Sequence, residues 1–122
     1  LPFPGETIRT LLSRVAAGGF FYARHPWIVP MMRAARRFGI AIDFTFPWHL
    51  SDFGGSFWRK FIGLYGMKDF SICCSRPSPV ESSFSDAPLR TLASFAMKSI
   101  WYLTFGVWKF VGGWEIVLKR KG

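Results

Sequence analysis

From Ala87 to Leu118 the chain reads APLRTLASFAMKSIWYLTFGVWKFVGGWEIVL, and the fold class turns on whether this stretch is one helix. Asp86 is a good N-cap residue, Ala87-Pro88 suit a first helical turn, and apolar residues dominate the rest. The pattern predicts one long helix, bent near Gly112-Gly113, and at 1.5 Å per residue it would span about 48 Å. A bilayer core is only about 30 Å thick.

The two lysines inside the stretch make its insertion marginal. Between Ser99 and Val117 the aliphatic and phenylalanine side chains favour insertion by roughly 3–4 kcal/mol, whereas a central Lys109 costs roughly 2.5–3.5 kcal/mol. Lys98 and Lys109 nevertheless return to within about 20° of one direction on a helix, so they share a polar stripe with Thr91, Ser94 and Tyr102. Such a stripe is expected where an apolar helix packs on protein within a membrane. Trp101, Trp108 and Trp114 would serve as interface anchors, with Lys119-Arg120-Lys121 as a basic stop.

Upstream, residues 71–86 form a Ser/Pro linker that divides this C-terminal unit (87–122) from a basic, aromatic region (1–70). That first region opens with an amphipathic helix over Gly5 to Gly19, in which Ile8, Leu11, Leu12 and Val15 fall on one side and Glu6, Arg9 and Arg14 on the other. A short basic helix follows from Met31 to Phe38, started by Pro30 and stopped by Gly39, and it projects Arg33, Arg36 and Arg37 on one face. Residues 40–46 suggest a strand or extended segment, and Ser56 to Tyr65 a second small amphipathic helix. The fold class expected from these elements is mainly α, with a long C-terminal helix in or on a membrane and no independent globular core.

Composition points the same way. The 122 residues are 50% hydrophobic and 19% aromatic, yet carry 16 Lys+Arg against 7 Asp+Glu for a net charge of +9. A small chain with six Trp and fourteen Phe cannot bury all of them by itself, so apolar surface is left for lipid or a partner. The charge calls for an anionic neighbour as well: phospholipid headgroups, nucleic-acid phosphates or acidic protein. Arg33, Arg36 and Arg37 at one place and Lys119, Arg120 and Lys121 at another are the phosphate-binding candidates.

No catalytic motif emerges. The carboxylates are scattered, with no spacing that pairs them for acid–base work, and neither a nucleophile elbow nor a phosphate-binding glycine loop is present. Cys73 and Cys74 are adjacent, which excludes a disulfide scaffold and disfavours a zinc site with His25 and His49. The start at Leu1 suggests a removed leader or a beginning inside a longer product.

These features imply a non-catalytic accessory subunit of a multi-subunit complex of the mitochondrial inner membrane, in the respiratory chain or the ATP synthase. Its expected partners are neighbouring subunits and phospholipid such as cardiolipin, with no cofactor and no small-molecule substrate. The alternative is an RNA-contacting protein of an organellar ribosome, in which the same cations neutralise phosphates and the aromatics stack on bases.

Overall fold

The computed structural model describes residues 4–40, 53–80 and 82–122. In chain order the elements are α1 (Pro4–Ser13), β1 (Phe20–Trp27), α2 (Val29–Arg37), α3 (Gly55–Leu64), β2 (Phe70–Pro77), α4 (Pro88–Leu103) and β3 (Gly112–Arg120). The strands form a three-stranded antiparallel sheet in the order β1-β3-β2. The last strand in sequence is therefore the central one.

This arrangement corrects the expectation of a mainly α chain ending in one long helix. Helix α4 stops at Leu103, and no helix among the described residues is long and apolar enough to cross a membrane. The stop is a Schellman-type turn: Gly106 N–H donates to the Trp101 carbonyl at 2.9 Å and Phe105 N–H to that of Tyr102 at 3.2 Å. Thr104 reinforces it, since its hydroxyl donates back to the Ile100 carbonyl and accepts from Trp108 N–H. Beyond the glycine pair the register of side chains changes from helical to alternating. Trp114, Ile116 and Leu118 face one side of β3, while Glu115, Val117 and Lys119 face the other, and β-branched Ile116 and Val117 suit that geometry.

A globular core exists, contrary to expectation. Ile8 and Leu12 of α1 and Trp58 and Phe61 of α3 meet Phe70, Ile116 and Leu118 on one sheet face. Two helices thus cover one face of the sheet, and Trp58 Nε1–H donates to His25 Nε2 at 2.9 Å beneath them. The expected linker begins as ordered strand: residues 70–77 pair with β3, and a bulge between Ile72 and Cys74 makes Cys73 the extra residue. The helices anticipated at the N-terminus, around Met31 and around Ser56 are present as α1, α2 and α3. The strand suggested over 40–46 and the residue His49 lie outside the described residues, apart from Ile40.

Candidate functional site

The two cationic clusters occupy opposite ends of the sheet. Helix α2 leaves β1 just after Trp27, whose partner is Gly112, whereas Lys119 is paired with Phe20 at the far end. The clusters are therefore not brought together. Arg33, Arg36 and Arg37 are all exposed on α2, a helix with no buried residue, and among the described residues no carboxylate pairs with them. At the other end Lys119 and Lys121 are exposed, with Lys119 Nζ 5.5 Å from the Phe20 ring centroid. Arg120 instead donates to the Val15 carbonyl at 2.6 Å and to that of Ser13 at 3.5 Å, which ties the end of α1 to β3.

The polar stripe holds along α4 as far as Tyr102, and its Thr91 and Lys98 bond to this chain's own residues while Tyr102 stays about half exposed. Thr91 is buried; its hydroxyl donates to the Ser83 carbonyl and shares a second hydrogen bond with the Ser82 hydroxyl. Lys98 Nζ donates to the Pro79 carbonyl at 2.8 Å, Ser94 is half-buried on the same side, and Tyr102 lines a cavity of about 480 Å³ with Lys98, Arg76 and Glu115. Lys109 is not part of this stripe, because α4 ends before it and the loop to β3 carries it elsewhere. Asp86, expected to cap the helix, lies one residue before the N-cap Ala87 and accepts from the Ser83 and Ser85 hydroxyls. These bonds hold its carboxyl below the usual aspartate range.

With its polar face turned inward, α4 shows solvent an apolar one. Leu89, Leu92 and Leu103 are exposed there, together with Ala93 and Ala96, all within about 100° of arc. The turn after the helix extends this surface with Phe105, 96% exposed, and Val107. Phe105 adopts φ +49°, the left-handed region, at a position where glycine usually stands. Its backbone is thus strained while its side chain touches almost nothing. Spacing predicted that Thr91, Ser94, Lys98 and Tyr102 share a face turned to protein, but as packing on a neighbouring subunit within a membrane; Thr91 and Lys98 instead bond to this chain's own segment after β2.

The opposite sheet face carries a charged cluster that no local signal announced. Glu115 on β3 is only 4% exposed and sits between Arg24 of β1 and Arg76 of β2, its partners in register. Arg76 Nε donates to Glu115 Oε1, and Tyr22 Oη donates to Oε2 at 3.2 Å. Desolvation of the phenol, and then its bond to the carboxylate, push Tyr22 above its ordinary value. Arg24 also donates to the Pro79 carbonyl, so this cluster and the stripe on α4 converge on the segment that follows β2.

Searches against protein-family models, curated proteins and solved structures find no match to this chain.

Proposed function

We propose that the chain is a non-catalytic accessory subunit of a multi-subunit mitochondrial inner-membrane complex, a respiratory complex or the ATP synthase, and that it sits at the membrane surface. Its work there is assembly, stability and lipid contact. The observation that carries the reading is the reversed amphipathicity of α4: Thr91 and Lys98 of its polar stripe bond inside the chain, and its leucines face outward. Sixteen helical residues present about 24 Å of apolar edge, suited to the shallow burial of an interfacial helix.

The charge supports an anionic lipid as the neighbour. A net charge of +9, with Arg33, Arg36 and Arg37 exposed together, attracts a surface rich in anionic headgroups such as cardiolipin. Phe105 adds a side chain already held in water and ready to enter the lipid.

The test is flotation of the full chain with phospholipid vesicles, followed by native electrophoresis of mitochondrial membranes that carry a tagged copy. The chain should float with vesicles containing cardiolipin, float weakly with neutral phosphatidylcholine, and comigrate with a large membrane complex. Failure to float, with nuclease-sensitive sedimentation alongside ribosomal RNA, would replace this reading with the RNA-contacting one.

A further inference from the structure

A second cavity, of about 520 Å³, opens where the first turn of α3 meets the end of α4 and the strands β2 and β3. Its size lies within the range of small-molecule sites. Three indoles, with Ile72 and Phe105 at its edge, build its apolar part. Trp27 and Trp101 each stand nearly perpendicular to Trp114, at ring-centroid distances of 4.8 and 5.6 Å and angles of 79° and 77°. Two cations, Arg59 and Lys109, also line it, and among the described residues no carboxylate does. Among the described residues neither cation has an acidic partner. The cavity around Tyr102, by contrast, contains Glu115, whose carboxylate already takes Arg76.

We propose that this cavity binds a nucleoside monophosphate, with the base against the tryptophans and the phosphate between Arg59 and Lys109. A planar base gains from contact with aromatic faces, and a phosphate gains charge-assisted hydrogen bonds from guanidinium and ammonium groups. Hydroxyls are at hand for a ribose. Ser56 lines the cavity, and Ser75 Oγ accepts from Trp114 Nε1 at 3.0 Å, which leaves its own proton to donate. The geometry also accounts for the glycine at position 55. A Cβ there would lie 2.9 Å from the Trp114 ring, so the loop into α3 can run against the indole only without a side chain.

Indole N–H resonances of the full chain, followed by NMR during titration with AMP, test the proposal. The Trp27, Trp101 and Trp114 signals should shift and saturate. The Trp58 signal should stay in place, because its N–H is bonded to His25 within the core. Adenosine and glycerol 3-phosphate should each bind at least about tenfold more weakly than AMP, since each lacks one half of the recognised group. Arg59→Gln and Lys109→Gln should each weaken AMP by about tenfold, with the Trp58 signal reporting that the core is intact. Four results would overturn the assignment: no shift with AMP, adenosine as tight as AMP, glycerol 3-phosphate as tight as AMP, or both variants binding like the parent. Equal binding of glycerol 3-phosphate would reassign the cavity to a lipid headgroup.

Discussion

Replacing Phe105 by glycine should make the chain more stable and at the same time weaken its hold on a membrane. The stability gain follows from the backbone. An L residue in the left-handed region costs about 1–2 kcal/mol, and Phe105 at φ +49° bears that cost. Glycine removes the strain but returns about 0.4–1 kcal/mol through the greater freedom of its unfolded chain, leaving a net gain of roughly 0.5–1 kcal/mol. For a domain of this length that is a rise of about 2–5 °C in Tm. The membrane term has the opposite sign. The side chain is 96% exposed, so nearly its whole transfer free energy of roughly 1.5–3 kcal/mol is available to lipid, equivalent to roughly 10- to 100-fold in vesicle partitioning. Thermal unfolding by circular dichroism and vesicle flotation measure the two effects separately. Phe105→Ala keeps the strained backbone and loses the ring, so it should weaken partitioning without raising Tm. Unchanged flotation of Phe105→Gly would show that the turn does not enter lipid, and an unchanged or lower Tm would refute the strain argument.

Other consequences are equally open to measurement. Changing Arg33, Arg36 and Arg37 together to Gln should reduce binding to anionic vesicles by roughly 100-fold at low salt, at about 1 kcal/mol per charge, and leave the melting temperature nearly unchanged because all three are exposed. Arg76→Gln removes a charge-assisted bond to the buried Glu115 carboxylate and should lower the urea midpoint of unfolding with an unchanged m-value. The raised phenol of Tyr22 implies that the stability contributed by its neutral form is full below the unfolded value and is lost as pH rises through the folded one. A tyrosinate absorbance titration should therefore contain a late component that disappears in Tyr22→Phe and moves to lower pH in Glu115→Gln.

Much of the local structure was legible before any tertiary contact was considered. Ile8, Leu11, Leu12 and Val15 recur at helical spacing, and α1 buries Ile8 and Leu12 against the sheet, while Leu11 stays about half exposed and Val15 lies beyond the helix end at Ser13. Pro30 and Gly39 bracket α2, and its arginines share an exposed face. Thr91, Ser94, Lys98 and Tyr102 do share one side of α4. The difference begins at Leu103, where a run of apolar residues continues past a turn in which both Phe105 and Gly106 are left-handed, so the glycine follows the first left-handed position instead of occupying it. From Trp114 to Leu118 the alternation was present, but five residues of it were outweighed by the longer apolar pattern.

What the sequence alone determined is therefore the composition of each face and the approximate extent of the first three helices, because these depend on neighbours three and four residues apart. Only the tertiary structure decided that residues 112–120 form the central strand, since its hydrogen bonds go to β1 and β2, distant in sequence and without a local signature. The same pairing placed Glu115 between Arg24 and Arg76 and put Trp114 beside Trp27 on the other face. It also left α4 to dock by its polar stripe, with the apolar face turned outward, because the carbonyl of Pro79 and the polar groups of Ser82 and Ser83 lay where its hydrogen bonds could be made.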